Sequence, residues 1–236
     1  KVTEIFCISD DFCKEFEVEM AKNALPSSSE YPKRRRKRMM SDAEVITILI
    51  CFHFNTYRNF KHYYLSCVCG QWRHLFPRRF SYNRFVEVMP RCFVALTMFL
   101  RLACFGECTG ISFVDSTCIP VIHNKREFNM KVFKGFAAKG RSTMGWYVGF
   151  KLHLLCNEKG EIVNFVLTRA NVDDREESVI DTLTDKVFGK LYADKGYISQ
   201  SLFGHLWDNG VHIVTGLRSN MKQRLMPLYD KIMLRK

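Results

Sequence analysis

The first hundred residues carry hydrophobic positions at helical spacing. Apolar side chains recur every three or four residues from Val2 to Leu25, which predicts an amphipathic helix. The sequence Ser41-Asp-Ala-Glu44 has the spacing of a capping box and precedes a strongly apolar run, so a second helix is predicted to begin at Asp42. Pro90 is expected to bend or restart the last aromatic-rich helical segment. Together these signals predict a small helical domain over residues 1–105.

After Gly110 the pattern changes to that of β-strands. The stretch Gly110–Val121 is rich in β-branched and aromatic residues and predicts a first strand. Two apolar segments, Gly145–Cys156 and Glu161–Thr168, flank an Asn-Glu-Lys-Gly turn and predict a β-hairpin. Helical and strand patterns alternate afterwards, so the predicted order is βββαβαβ. That order predicts an α/β (α+β) class and, by analogy of fold, a ribonuclease-H-like domain over residues 110–236.

Two aspartates lie on predicted strands of this second domain. Asp115 interrupts the first apolar strand, and Asp194 ends a short apolar strand immediately before a Gly turn. A buried carboxylate is costly unless it is paired, hydrogen-bonded or bound to a metal, so Asp115 is either a structural acid or a ligand. If the fold brings both together, they provide the oxygen ligands that Mg²⁺ or Mn²⁺ prefers in two-metal phosphoryl transfer.

Another acidic segment, Asn171–Glu177, is typical of a helix start. Asp173 or Asp174 is expected to cap the helix, and the glutamates that follow suit its first turn. Capping is favoured here over a catalytic role.

The charge balance favours a polyanionic partner. Lys and Arg number 36 against 24 Asp and Glu, a formal net charge of +12, so nucleic acid is the first candidate; charge alone supports only non-specific attraction to nucleic acid or to an acidic membrane. The block Lys33–Arg38 is either a solvated linker or an arm that grips phosphates. A second basic stretch, between the two aspartates, either lines a DNA path or forms an ordinary solvated face. Its members are Lys125, Arg126, Lys131, Lys134, Lys139, Arg141 and Lys151.

The remaining composition predicts a reduced protein without a membrane partner. The 10 cysteines lack disulfide-like spacing. Cys67-Val-Cys69 with His62 and His74 admits a zinc site, but its spacing is not a standard one and core packing is favoured. Aromatic residues over 52–64 are likewise assigned to the core rather than to base stacking. The longest apolar stretch, Val45–Phe54, is too short to span a bilayer, and no signal-peptide layout occurs, so a cytoplasmic, nucleoid-associated location is expected.

Several motifs, in the same order, resemble those of the DDE transposases of bacterial insertion sequences. The resemblance implies a helical DNA-binding region ahead of a ribonuclease-H-like catalytic domain that cleaves and joins DNA with Mg²⁺ or Mn²⁺. It implies that Asp115 and Asp194 are the first two members of an Asp-Asp-Glu triad. Its implied partners are insertion-sequence ends and target DNA, and it admits a homo-oligomer. The motifs are Ile111–Thr117, His123–Arg126, Val132–Gly135, Gly145–His153, Asn171–Arg175 and Asp194–Ser199.

The third acid of that triad is the departure from the family pattern. In such transposases a glutamate lies on a helix beyond a basic segment like Leu234–Lys236, where this sequence ends. Asp230 is the only carboxylate after Asp208, and its substitution for the glutamate is disfavoured because metal geometry tolerates little misplacement. The expectation is a truncated, inactive transposase without the C-terminal helix. The alternative is a non-catalytic DNA-binding remnant that recognises element ends.

Overall fold

The computed structural model describes residues 1–23, 38–129, 131–217, 219, 221–222 and 225–235. The chain divides into two compact units, Lys1–Cys104 and Phe105–Lys236. Of the basic block Lys33–Arg38, only Arg38 lies within the described residues. Over those residues no helix is long and apolar enough to cross a membrane.

The first unit is helical. Two π-helical segments, Tyr64–Gln71 and Leu100–Cys104, extend the third and the fifth α-helix, and a 3₁₀ turn, Met89–Cys92, joins the fourth α-helix to the fifth. Pro90 lies in that turn and accounts for the restart there, because proline lacks the N–H that a continuous helix requires. The helices are α1 (Val2–Lys22), α2 (Asp42–His53), α3 (Phe60–Tyr63), α4 (Tyr82–Val88) and α5 (Phe93–Phe99).

The start of α2 is the one that the capping box predicts. The Glu44 N–H donates to Ser41 Oγ over 3.1 Å, and the Glu44 carboxylate accepts from the Ser41 N–H over 2.7 Å. These reciprocal bonds satisfy two backbone donors that the first turn of a helix leaves without an intrahelical partner. Asp42 follows in the first turn and pairs with Arg38 and Arg91 over 2.7 and 2.8 Å.

Most aromatic residues predicted for the core of this unit are packed in it. Tyr63 and Tyr64 are fully buried, and their hydroxyls donate to backbone carbonyls over 3.1 and 2.8 Å. Phe54 departs from the prediction because 74% of its surface is exposed. Cys67 is buried in the same core, and the part of the chain that the structure describes holds no cluster of three potential metal ligands. The burial of Cys67 and the packing of Cys69 against the same core fit the core-packing interpretation of this segment.

The second unit is built on a mixed sheet. Its strands are β1 (Ile111–His123), β2 (Ala138–Ser142), β3 (Gly145–Asn157), β4 (Ile162–Arg169), β5 (Gly189–Ala193) and β6 (Val211–Thr215). Its helices are α6 (Glu177–Thr184), α7 (Gln200–Asp208) and α8 (Leu228–Met233). Short 3₁₀ turns occupy Asn124–Asn129 and Lys195–Tyr197.

The strand order confirms the ribonuclease-H-like prediction. The sheet runs β4–β3–β1–β5–β6, with β1, β3 and β4 antiparallel and with β5 and β6 added parallel to β1. Three antiparallel strands followed by two parallel strands on the far side of the first are the core of that fold. The short strand β2, which pairs with the start of β3, is an addition that the sequence pattern did not predict.

The helix α6 begins later than predicted. Its N-cap is Glu176, whereas Asp173 accepts two hydrogen bonds from the Arg175 guanidinium at 2.9 and 2.8 Å. Asp174 pairs with Lys151 Nζ over 2.9 Å. The prediction that one of these aspartates caps the helix is wrong, because both are engaged by basic side chains instead.

The strands β1 and β3 extend far past β5. The register joins β5 to β1 only along Ile111–Val114, whereas β3 pairs with β1 as far as His123. At about 3.3 Å per residue, the β1–β3 ribbon continues roughly 30 Å beyond the carboxyl end of β5. The base of this ribbon is where Asp115 lies.

Candidate active site

Asp115 and Asp194 occupy equivalent positions on neighbouring parallel strands. Val114 pairs with Ala193 in the β1–β5 register, and each aspartate is the next residue along the chain, Asp115 within β1 and Asp194 directly after β5. Parallel strands place such positions at the same edge of the sheet. Both aspartates are exposed to solvent. The fold thus brings together two acids that are distant in sequence.

The two aspartates line one cleft of about 620 Å³. Its walls also include the turn between β3 and β4, the first residue of the turn after Asp194, Gly216 after β6 and Leu234 after α8. The Asp115 carboxylate accepts a hydrogen bond from the N–H of Ser116 over 2.7 Å. Both carboxylates are exposed to solvent within this cleft.

A buried tyrosine fixes the chain directly after Asp194. The Tyr197 N–H donates to the Asp194 carbonyl over 3.0 Å and closes a 3₁₀ turn, while the ring of Tyr197 is 3% exposed and packs in the core of the second unit. Burial raises the pKa of the Tyr197 phenol, and the nearby charge of Asp174 raises it further. Tyr197 therefore stays neutral and acts as an anchor for the turn.

Glu158 contributes a third carboxylate to the cleft wall, which sequence reasoning missed. It lies in the β3–β4 turn, and the Thr109 hydroxyl donates a hydrogen bond to its Oε2. A glutamate in an Asn-Glu-Lys-Gly turn is typical of a solvated loop. Only the register of β3, with Asn157 opposite Ser112, brings the turn beside the cleft. Even so, the described residues contain no compact group of three side chains that could hold a metal ion.

Asp230 lies in a different environment from Asp115 and Asp194. It is 4% exposed and accepts hydrogen bonds from Lys190 Nζ and the Tyr192 hydroxyl, both over 2.7 Å. Burial acts to raise its pKa, but these two donors and the Lys190 charge outweigh that effect, so the pKa is lowered. Asp230 lines a separate cavity beside α7 and β6. The structure therefore does not bring it together with Asp115 and Asp194.

Of the seven basic candidates for DNA contact, the structure separates one from the rest. Lys151 is 13% exposed in its side chain, and its Nζ donates to the Val172 carbonyl over 2.8 Å and pairs with Asp174. Its charge is thus already neutralised inside the fold. The other six are exposed around the far end of the β1–β3 ribbon: Lys125, Arg126, Lys131, Lys134, Lys139 and Arg141.

A buried histidine lies next to the Lys151–Asp174 pair. His153 is fully buried, its Nε2 lies 3.0 Å from Thr168 Oγ1 and its Nδ1 lies 3.9 Å from Asp174 Oδ1. Burial lowers the pKa of His153, although the Asp174 charge opposes this, so the ring is neutral at neutral pH. The contacts of Lys151 with Val172 and Asp174 hold the segment before α6 against β3. The last residues of β3 line the cleft.

The fold and the two aspartates where β1 and β5 stop pairing define a ribonuclease-H-like domain with a candidate metal cleft. Comparison with protein families gives a more specific result, because the transposase DDE domain family matches residues 105–236. This match covers more than half of the chain. The chain belongs to the transposase DDE domain family.

Several solved structures are similar to the chain at low sequence identity. The piggyBac transposase synaptic complex with hairpin DNA is 12% identical, with 94% of this chain and 49% of that chain covered and a TM-score of 0.46. The Mos1 transposase paired-end complex with left transposon end is 12% identical, with coverages of 86% and 66% and a TM-score of 0.28. The chain spans about half of the length of the piggyBac protein. Comparison with curated proteins finds no match.

Proposed function

We propose that this chain is a transposase that cleaves the ends of an insertion sequence and joins them to target DNA. The observation that carries the proposal is the placement of Asp115 and Asp194 at neighbouring positions, where the pairing of β1 with β5 ends. The net charge of +12 supports a DNA partner. We assign catalysis to the unit Phe105–Lys236 and DNA binding to the helical unit Lys1–Cys104.

The residues of the cleft fit a divalent metal ion. Asp115 and Asp194 supply hard carboxylate oxygens from adjacent backbone positions, which suits Mg²⁺ or Mn²⁺. When bound, the metal supplies activation of an attacking oxygen and charge stabilisation at a phosphodiester. The protein's own contribution is positioning: β1 and β5 hold the two carboxylates in register, and the Tyr197 anchor fixes the backbone after Asp194.

A second candidate function is a non-catalytic protein that binds element ends. The observation that favours it is the lack, among the described residues, of a third ligand grouped with Asp115 and Asp194. A two-metal site needs further carboxylate to balance charge and fix the second ion, so two aspartates alone are expected to bind metal without supporting rapid cleavage.

A metal-binding experiment tests the site independently of activity. Mn²⁺ at about a hundredfold over its Kd should stabilise the second unit by about 2.7 kcal/mol, because a ligand that binds only the native state shifts the equilibrium by mass action. Asp115→Asn and Asp194→Asn should each abolish the rise in melting temperature. Asp208→Asn, an exposed aspartate at the end of α7, is the matched control and should keep it. If either of the first two variants keeps the full rise, the assignment of that aspartate fails.

A cleavage assay separates the two candidate functions. The 236-residue protein is incubated with linear DNA that carries an element end, in Mn²⁺. Strand cleavage that Asp115→Asn and Asp194→Asn abolish, and that Asp208→Asn retains, supports the transposase reaction. DNA binding without cleavage supports the second candidate, and absence of DNA binding contradicts both.

A further inference from the structure

Exposed aromatic side chains lie among the basic residues of the segment 124–146, which runs from the end of β1 to the start of β3. Phe128 is 98% exposed, Phe136 is 69% exposed and Trp146 is 54% exposed. Together with the six exposed cations described above, they form what we call the aromatic–basic surface. Several large apolar rings left in water within one segment indicate a surface that a partner covers.

The segment that carries these rings is held in place by the fold. The ring of Phe133 packs edge-on against Phe150 of β3, with centroids 5.6 Å apart. Arg169 of β4 donates to the Gly135 carbonyl over 2.7 Å, and the Phe136 N–H donates to the Phe133 carbonyl over 3.0 Å. The turn therefore packs the Phe133 ring against Phe150 while leaving it 40% exposed, and the same anchored turn holds Phe136 at the surface.

Trp146 combines an aromatic ring with two cations. Arg141 is its cross-strand partner in the β2–β3 hairpin. The Arg141 guanidinium carbon and Lys139 Nζ lie 5.9 and 5.5 Å from the centroid of the indole ring. An aromatic ring flanked by cations suits a nucleotide, since the ring stacks on a base while the cations neutralise its phosphates.

We infer that the aromatic–basic surface binds unpaired nucleotides of the DNA substrate. The inference rests on the proposed function and names the feature of DNA that this surface recognises. Residues 124–146 contain six cations and one acid, Glu127, so charge complementarity selects a polyanion. Exposed aromatic rings can stack only on bases whose faces are accessible. In a continuous duplex those faces are covered by the neighbouring base pairs.

The register gives the distance between this surface and the cleft. Leu154 of β3 lies opposite Asp115, and Trp146 is eight residues from Leu154 along the same strand. At about 3.3 Å per residue the separation is roughly 26 Å. A stacked strand rises about 3.4 Å per nucleotide, so unpaired bases about eight nucleotides from a phosphate in the cleft reach Trp146.

The test compares two exposed tryptophans of the same unit. Trp146→Ala removes a ring of the aromatic–basic surface, and Trp207→Ala removes one that is 58% exposed on α7. Fluorescence anisotropy gives the Kd for a duplex with a single-stranded tail and for the same duplex without it. Trp146→Ala should weaken binding of the tailed DNA by about tenfold, whereas the affinity for the blunt duplex stays unchanged. Trp207→Ala should alter neither, and Trp146→Phe should retain most of the affinity.

Equal loss on tailed and blunt DNA, or no loss at all, overturns the inference. The inference is also overturned if Trp146→Ala changes the oligomeric state, measured by light scattering, while the affinity for tailed DNA stays intact. The surface would then be a contact between protein chains. Asp115→Asn separates this inference from the proposed function. That variant should keep the preference for tailed DNA whether or not the parent protein cleaves.

Discussion

Asp230→Ala tests whether this acid is structural, as its contacts indicate, or a metal ligand. The substitution removes the acceptor that Lys190 and Tyr192 share. Tyr192 is 2% exposed, so its hydroxyl would be left buried without that acceptor, at a cost of about 1–3 kcal/mol. The Lys190 side chain is 37% exposed and regains water, so it adds little. We expect the free energy of unfolding of the second unit to fall by about 2 kcal/mol.

Urea denaturation followed by tryptophan fluorescence measures this loss. A Trp72→Phe background leaves Trp146 and Trp207 as the only tryptophans, and both lie in the second unit, so the signal reports that unit alone. With a slope of about 2 kcal/mol per molar urea, the midpoint should fall by about 1 M. An unchanged midpoint would refute the structural account, and loss of the Mn²⁺-dependent stabilisation at full stability would identify Asp230 as a ligand.

The pH dependence of Asp230→Ala provides an independent check. The folded-state pKa of Asp230 is lowered, so its contribution to stability is fully present above the unfolded-state pKa of about 3.9. That contribution is lost as the pH falls through the lower folded-state pKa. The stability difference between the parent protein and Asp230→Ala should therefore be constant near neutral pH and shrink in acid. A difference that grows in acid would contradict the assigned ion pair.

Three further changes test other parts of the fold. Ser41→Ala should destabilise the first unit by about 1 kcal/mol, measured by chemical denaturation, because it removes the capping box of α2. Lys151→Met should lower stability while leaving the salt dependence of DNA affinity unchanged, since Lys151 already pairs with Asp174. A flatter plot of log affinity against log salt concentration would show that Lys151 contacts DNA phosphate. The hydrogen bond to Asp181 raises the pKa of His205 in the folded state. The stability that this contact contributes to the fold is therefore complete below the unfolded-state pKa of about 6.5 and is lost as the pH rises through the folded-state pKa. The melting temperature of the parent protein should thus fall between pH 6 and pH 9 by more than that of His205→Gln.

The features that the sequence predicted well depend on neighbours a few residues apart. The capping box places donor and acceptor three residues apart, and the break at Pro90 follows from one residue's covalent geometry. The β3–β4 turn is similarly local, because Asn157 Oδ1 accepts from the N–H groups of Lys159 and Glu161. Such signals predicted most elements and, through their order, the sheet.

The features that the sequence predicted poorly depend on contacts between distant segments. Asp174 is a residue type that often caps helices, and it precedes α6 in the sequence. It pairs with Lys151 instead, because the segment before α6 packs against β3. Lys151 belongs by sequence to a run of cations, and only its burial separates it from the exposed six. The sequence did not predict the exposure of Phe136 and Trp146 either. The composition of a basic segment is the same whether its aromatic side chains face the core or water.

Asp230 and Glu158 show why carboxylates cannot be ranked as metal ligands by sequence position alone. Asp230 occupies the position nearest to the expected third acid, yet two donors in a buried site already satisfy it. Glu158 has no such sequence position, yet the hairpin register brings it to the wall of the cleft that Asp115 and Asp194 line. To bind a cation, Asp230 would first have to lose its contacts with Lys190 and Tyr192, and an ionised carboxylate in a buried site costs several kcal/mol when its partners are removed. Asp230 is therefore an anchor for α8, and the metal proposal rests on Asp115 and Asp194 alone.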